Sequence, residues 1–198
     1  MKYKAHNKGF TLVEVLVASA IFVTTTVLVA DIFVRTNDTQ RKTQAIQETA
    51  TDARFAFEAV SREARLGEID YDYYSGSIDV AGESELALRN TQSDPIRFGL
   101  QTTGCPSGST SCLSVCIQET CTGSDWVPLS PSGIEVTSLN FLIQPDQSPF
   151  EVTGSDTYNN NIQPRITIIM TTENTTSDAR ELATFTMQTT VSSRFYRR

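Results

Sequence analysis

Lys8-Gly-Phe-Thr-Leu-Val-Glu14 opens an almost uninterrupted apolar run that continues to Val34. The run from Phe10 to Val34 contains 25 residues, which form a helix of roughly 37 Å at 1.5 Å per residue. About 20 residues suffice to cross the hydrocarbon core of a bilayer. The sequence therefore predicts a membrane-spanning helix over residues 10–34.

Two carboxylates, Glu14 and Asp31, lie inside this run. Asp31 is near the far end and can reach the interface, whereas Glu14 would lie in lipid, where a lone charge costs about 2.5–3.5 kcal/mol or more. If the chain were cut between Gly9 and Phe10, the new α-amine of Phe10 would lie one helical turn from Glu14. The same amine on a neighbouring, staggered copy could also pair with Glu14. Burial in lipid favours such a pair over two isolated charges, and the pair would fix the register between subunits.

The motif from Lys8 to Glu14, with a long apolar helix behind it, resembles the N-terminal signal of type IV pilins and type II secretion pseudopilins. The resemblance implies that a prepilin peptidase cuts between Gly9 and Phe10 and methylates the amine of Phe10. It also implies that Glu14 promotes assembly into a filament. The implied partners are that peptidase and methyltransferase, other pilin or pseudopilin subunits, an inner-membrane assembly platform and membrane lipid; no cofactor is implied.

Two further segments resemble minor subunits of the pseudopilin J or minor pilin W type. They are Trp126–Phe141 and Gln163–Thr171. The chain also departs from a common pilin pattern, because many major pilins have a proline within the membrane helix. No proline lies between Phe10 and Leu66, so nothing in the sequence requires a kink there.

Two ordinary readings compete with this resemblance. A secretory signal also has a basic start and an apolar core, but the core is usually shorter and a small-x-small cleavage site follows it. A plain, uncleaved signal anchor would fit the length of the run but not the spacing of Gly9, Phe10 and Glu14. The alternative to a filament subunit is therefore a membrane-anchored extracytoplasmic domain that binds a ligand or acts as an enzyme.

Charge predicts the orientation of the chain and the kinds of partner that it meets. The 198 residues contain 23 acids and 16 bases, a formal net charge of −7. Residues 1–9 contain three lysines and no acid, so their removal leaves 13 bases and a side-chain charge of −10. The basic N-terminus is expected on the cytoplasmic side and the acidic remainder outside. An acidic ectodomain is not expected to bind nucleic acid directly.

The only histidine is His6, within the leader. A chain processed after Gly9 would therefore contain no histidine. Catalysis by Ser-His-Asp or Cys-His groups would then be impossible, as would metal sites built on histidine. We expect a protein that is not an enzyme.

Beyond residue 34 the helical pattern continues and the chain then becomes β-rich. Apolar residues recur at helical spacing at Ile46, Ala50, Ala53, Phe57, Val60 and Ala64. Gly67 predicts the end of the helix. The expected domains are a leader over 1–9, a transmembrane and assembly helix over 10–34, an amphipathic helix over 35–66 and an extracytoplasmic β-rich domain over 67–198.

The predicted fold is α+β, with an antiparallel sheet packed on the amphipathic half of a long N-terminal helix. Strands are predicted at Ser77–Val80, Glu85–Arg89, Ile96–Thr102, Leu113–Gln118, Ile134–Gln144, Arg165–Thr172 and Leu182–Phe195. The last two strands flank a polar loop suited to a hairpin. Alternation is irregular after Ile134, which indicates a bulge or a buried portion. Residues 70–74, with three tyrosines, are predicted to connect helix and sheet and to cover the edge of the domain.

All four cysteines, Cys105, Cys112, Cys116 and Cys121, lie within 17 residues. Paired C-x-x-C knuckles are absent, so a zinc ribbon is weakly supported, and disulfides are the default in an oxidising compartment. Two disulfides are expected, with zinc or free thiols as alternatives. If Cys112 and Cys116 lie on one strand they point to the same face, which favours Cys105 and Cys121 as their partners. The connectivity itself stays open.

The long polar loop from Pro145 to Pro164 contains candidate calcium ligands, Asp146, Glu151 and Asp156. No EF-hand spacing is present. Solvated surface acids are therefore the favoured interpretation, and no metal site is predicted.

Overall fold

A computed structural model describes residues 9–74, 78–149, 152–153, 157–158, 162–176 and 181–194. Their contacts divide the chain into two units, residues 1–41 and 42–198. One long helix, α1, runs from Leu12 to Leu66, and a short 3₁₀ helix spans Tyr71–Tyr74. The strands are β1 (Glu68–Ile69), β2 (Glu85–Arg89), β3 (Pro95–Gln101), β4 (Cys112–Cys116), β5 (Val127–Pro128), β6 (Ile134–Gln144), β7 (Val152–Thr153), β8 (Thr157–Tyr158), β9 (Arg165–Asn174) and β10 (Thr184–Ser192).

Three antiparallel sheets make up the β-rich part. Strands β1 to β5 follow one another in a five-stranded sheet, β10, β9 and β6 form a three-stranded sheet, and β7 pairs with β8. Several contacts join the two larger sheets. Among them, Glu83 bridges to Phe141 of β6, and the Val136 N–H donates to the Ser111 carbonyl over 3.1 Å. One hydrophobic core therefore serves both sheets.

The second half of α1 contributes a stripe of small side chains to this core. Ala53, Ala56, Val60 and Ala64 are each at most 1% exposed. Alanines let a helix backbone approach a sheet closely, and the large apolar side chains come from the strands. The fully buried strand residues include Leu86, Phe98, Leu113, Phe141, Ile166, Ile168 and Met170. The predicted α+β fold, with helix and antiparallel sheet packed together, is confirmed.

The buried stripe of α1 differs in detail from the predicted one. Ile46 is 42% exposed and Phe57 is only partly buried, whereas Thr49 is 1% exposed. The Thr49 hydroxyl donates to the Ala45 carbonyl over 2.7 Å. A threonine whose hydroxyl is bonded within the helix can be buried like an apolar residue, and apolar periodicity alone does not reveal this.

Most predicted strands are present, but one prediction was wrong. The segment from Ile78 to Val80 forms no strand, and Ser77 lies outside the described residues. Asp79 accepts hydrogen bonds from the backbone of Ala81 and Gly82, and Gly82 has a φ of 111°. An Asp-to-Gly turn of this kind prevents the segment from continuing as a strand.

The irregularity after Ile134 is a β-bulge. The register of β6 on β9 shifts between Val136 and Ser138. After the shift, pairing continues without interruption to the end of β6, where Gln144 pairs with Arg165. Strands β9 and β10 form the predicted hairpin, paired from Arg165 with Ser192 to Glu173 with Thr184. The strand expected over Leu182–Phe195 is shorter than predicted, because β10 covers Thr184–Ser192; Phe195 lies outside the described residues.

Candidate processing and assembly site

Gly9, Phe10 and Thr11 precede the first turn of α1. Gly9 is exposed and outside the helix, and Phe10 is 82% exposed. No heavy atom lies within 4 Å of the place where a Cβ would stand on Gly9. The peptide bond between Gly9 and Phe10 is therefore uncovered by the described part of the chain.

Thr11 caps the N-terminus of α1, a role that the sequence analysis missed. Its hydroxyl accepts a hydrogen bond from the backbone N–H of Glu14 over 3.2 Å, and its carbonyl accepts one from Val15 over 3.2 Å. Thr11 and Glu14 have the spacing of a capping box, in which the acid at the third helical position supports the cap. The pattern Thr-x-x-Glu before an apolar run was the available signal.

Glu14 thus lies in the first turn of α1 and its side chain is exposed. A carboxylate there also interacts favourably with the helix dipole, by about 0.3–1 kcal/mol at an exposed site. The position of Glu14 at the start of the helix therefore favours a carboxylate there, separately from the pairing with the Phe10 amine predicted from the sequence. The two roles need different chemistry: the cap needs a hydrogen-bond acceptor, and an ion pair needs a charge.

The apolar half of α1, from Leu12 to Val34, is not packed against other described residues of the unit formed by residues 1–41. The large apolar side chains from Leu12 to Val34 are all more than half exposed. Among the described residues, α1 is the one helix that is long and apolar enough to cross a membrane. Its threonines, including Thr24, Thr25 and Thr26, donate their hydroxyls to carbonyls of the preceding turn. Such bonds satisfy polar groups inside an apolar environment.

The four cysteines form two short-range disulfides. Cys105 pairs with Cys112, and Cys116 pairs with Cys121. The expectation of two disulfides is confirmed, and the structure supplies the connectivity that spacing left open. Cys112 and Cys116 begin and end β4, and each is joined to the loop at its own end of the strand.

The loop between Cys116 and Cys121 is also held by contacts of Glu119 with Arg89 and Arg97. Arg89 pairs with the carboxylate of Glu119 over 3.1 Å and with that of Asp70 over 2.9 Å. Arg97 donates to the carbonyl of Glu119, and its guanidinium carbon lies 4.3 Å from the ring centroid of Tyr73. These charged groups therefore satisfy one another and hold the loop against the five-stranded sheet.

The candidate calcium ligands are only partly described. Burial, followed by the negative charge of Asp146, raises the pKa of the Tyr71 phenol. Glu151 and Asp156 lie outside the described residues. Within the described ranges, no group of three or more His, Cys, Asp or Glu side chains could hold a metal ion.

The fold and the N-terminal motif can both be compared with known proteins. The long apolar N-terminal helix with antiparallel sheets packed on its second half is the pilin-like α+β arrangement. Residues 4–30 match the family model of the prokaryotic N-terminal methylation motif, the motif of the type IV pilin and pseudopilin family. Neither a curated protein nor a solved structure matches the chain. The motif and the fold suggest a pilin or pseudopilin subunit.

Proposed function

We propose that this chain is a minor pilin or pseudopilin, a structural subunit of a type IV pilus or type II secretion filament, and not an enzyme. The observation that carries the proposal is the heptapeptide from Lys8 to Glu14 at the head of an uncovered apolar helix, within the matched methylation motif. The resemblance of Trp126–Phe141 and Gln163–Thr171 to pseudopilin J and minor pilin W supports a minor subunit.

In this proposal the precursor sits in the bacterial inner membrane with residues 1–9 in the cytoplasm and residues 67–198 outside. A prepilin peptidase cuts between Gly9 and Phe10 and methylates the amine of Phe10. The exposure of Gly9 and Phe10 supports access by such an enzyme. The mature subunit then passes from the assembly platform into a periplasmic or surface filament.

Glu14 pairs with the Phe10 amine, either in its own chain or in a neighbouring subunit. In lipid the carboxylate costs about 2.5–3.5 kcal/mol or more without a partner, and a paired ammonium is favoured over a buried charge left alone. Because the new amine forms only on cleavage, an unprocessed subunit lacks the partner of Glu14. Processing and assembly are thereby linked.

Mass spectrometry of the chain from cells that contain the processing enzyme tests the first step. The expected mature protein begins at Phe10 and carries one added methyl group. A Gly9→Leu variant should keep residues 1–9, with Ala5→Leu as a control within the leader that should be processed normally. A wild-type chain that retains Met1 in those cells would contradict the proposal and favour an uncleaved membrane anchor.

Glu14→Gln separates the ion pair from the helix cap. Glutamine can take the place of glutamate in a capping box, but it carries no charge. We therefore expect Glu14→Gln to be inserted and processed but incorporated into filaments roughly tenfold less, as for loss of a pair worth about 1.4 kcal/mol. Glu14→Asp keeps the charge and should retain part of the incorporation. Normal incorporation of Glu14→Gln would show that Glu14 acts only as a cap.

A further inference from the structure

The C-terminal half of α1 presents a basic pocket on a chain that is otherwise acidic. A cavity of about 560 Å³, the arginine pocket, is lined by Arg54, Phe57, Glu58, Ser61, Arg62, Arg65, Leu66, Thr189 and Arg194. Arg54, Arg65 and Arg194 have no side-chain ion pair or hydrogen bond within the described residues. The Nε atom of Arg62 lies 3.9 Å from the Oε1 atom of Glu63, and the Arg62 side chain is 69% exposed. Four guanidinium groups thus face one cavity whose own acid is Glu58.

Ser61 lines the pocket but does not face an incoming group. Its side chain is 6% exposed, and its hydroxyl is sealed from solvent and has no hydrogen-bond partner in the described part of the chain. The four arginines, in contrast, are exposed. Guanidinium groups bind carboxylates through paired N–H donors, so these arginines would suit an incoming carboxylate.

Carboxylates of this kind lie on the other side of the same helix. A cavity of about 350 Å³, the acidic cleft, is lined by Glu48, Asp52 and Glu181 and by neutral residues of α1, of β9 and of the adjoining loops. Asp52 has no ion pair among the described residues, and burial together with the charge of Glu48 raises its pKa. Glu48 accepts a hydrogen bond from Gln44 over 2.8 Å. Among the residues that the structure describes, no lysine or arginine lines this cleft.

Helical geometry sets the directions in which the acidic cleft and the arginine pocket face. Asp52 and Ser61 are nine residues apart, which is about two and a half turns and roughly 14 Å along the axis. The acidic cleft and the arginine pocket therefore face opposite ways and cannot neutralise each other within one chain. Complementary surfaces on opposite sides of a subunit allow a head-to-tail contact between two neighbouring copies.

We infer that the arginine pocket of one copy receives Asp52 and Glu48 of a second copy, so that parallel helices pack side by side with a stagger of roughly 14 Å. The inference rests on the proposed function, because it supplies a lateral contact for subunits aligned in one filament. It adds a contact in the extracytoplasmic unit to the one expected at Phe10 and Glu14. Both halves of α1 would then specify the same parallel orientation.

Cysteine crosslinking between two differently tagged full-length copies tests this contact. One copy carries Asp52→Cys and the other Arg62→Cys, and the described native cysteines are all in disulfides. We expect a disulfide-linked dimer that contains both tags, because these positions meet only between copies. The matched control replaces Asp52→Cys with Ser138→Cys, an exposed position on β6, and should give at most one tenth of the product.

Charge reversal then tests the chemistry. Arg54→Glu with Arg65→Glu, added to the Arg62→Cys copy, should lower the dimer yield roughly tenfold, because like charges would face each other. Glu48→Arg in the Asp52→Cys copy should restore part of it. Near-UV circular dichroism of each variant should match the parent, since the replaced side chains are exposed or line an open cavity.

The outcomes separate this inference from the proposed function. The N-terminus of each copy is determined in the same samples. A chain that is cut and methylated at Phe10, but gives no dimer above the Ser138→Cys control, would overturn the inference and leave the proposed function standing. Crosslinking of Arg62→Cys to a different protein, with none to a second copy, would also overturn it. A dimer yield that is unchanged by the charge reversal would contradict the assignment of Asp52 and Glu48 as the bound carboxylates.

Discussion

At the scale of single residues, Tyr74 takes the place of a strand partner. Strand β1 pairs with only two residues of β2, Arg89 and Leu88. Beyond that point the Tyr74 hydroxyl accepts a hydrogen bond from the Ala87 N–H over 2.7 Å and donates one to the Glu85 carbonyl over 3.0 Å. A single phenol thereby satisfies two backbone groups at the edge of the five-stranded sheet, as predicted for tyrosines that cover the domain.

Tyr74→Phe should lower the free energy of unfolding by about 1–3 kcal/mol, because it leaves the buried Ala87 N–H without an acceptor. Urea denaturation measures the change. Tyr73→Phe is the matched control: the Tyr73 hydroxyl donates to the exposed Glu85 carboxylate over 2.7 Å, which water can replace, so its loss should cost less than about 1 kcal/mol. Equal effects of the two variants would contradict this role of Tyr74.

The same tyrosine predicts the response of stability to alkaline pH. Burial raises the pKa of Tyr74, against the opposing effect of the hydrogen bond from Ala87, and burial likewise raises the pKa of Tyr71. An unfolded tyrosine ionises near pH 10, so above that pH the unfolded state loses protons that the folded state retains. The free energy of unfolding should therefore fall as the pH rises above about 10. The fall should be shallower in Tyr74→Phe, and an unchanged slope would show that Tyr74 ionises freely in the folded protein.

At the scale of elements, β4 is held at each end by a disulfide to its neighbouring loop. Replacing Cys116 and Cys121 together by serine should cost about 2 kcal/mol, the chain entropy of so short a loop. Arg89 and Arg97 still hold the loop through Glu119, so we expect the folded loop to stay ordered. Thermal unfolding measures the loss. Wild-type protein in reductant is the control, and no loss in the double variant would show that the arginines alone suffice.

Helix α1 combines two environments within one element. Its first half exposes every large apolar side chain, whereas its second half buries Thr49, Ala53, Ala56, Val60, Ser61 and Ala64. A helix with an uncovered apolar surface requires lipid or other helices around it. The two halves therefore belong to different surroundings, although no break in the helix separates them.

At the scale of the whole molecule, the core lies within residues 42–198. Thr49 is the first buried side chain along the described part of the chain. A chain that begins at Arg35 should therefore fold without detergent and keep the near-UV circular dichroism of the full-length protein, since it loses none of the buried side chains. The full-length chain in detergent is the comparison. Loss of the near-UV signal in the shorter chain would show that the apolar half contributes to folding.

The sequence by itself determined the N-terminal motif, the apolar span and the α+β class. The motif from Gly9 to Glu14 and the apolar helix behind it can be recognised from adjacent residues and from 3.6-residue periodicity. For the same reason the sequence predicted two disulfides among four close cysteines and the hairpin of β9 and β10. The roles of Gly9, Phe10 and Glu14 stay predictions.

Only the tertiary structure decided which cysteines pair, where Asp79 and Gly82 turn the chain, and that Thr49 and Ser61 are buried. It alone brings Thr189 and Arg194, more than 120 residues along the chain, to the arginines of α1. Local periodicity records which side of a helix is apolar, but contacts between distant segments depend on how complete side chains fill a shared core. Such contacts leave no pattern in any short stretch of the chain.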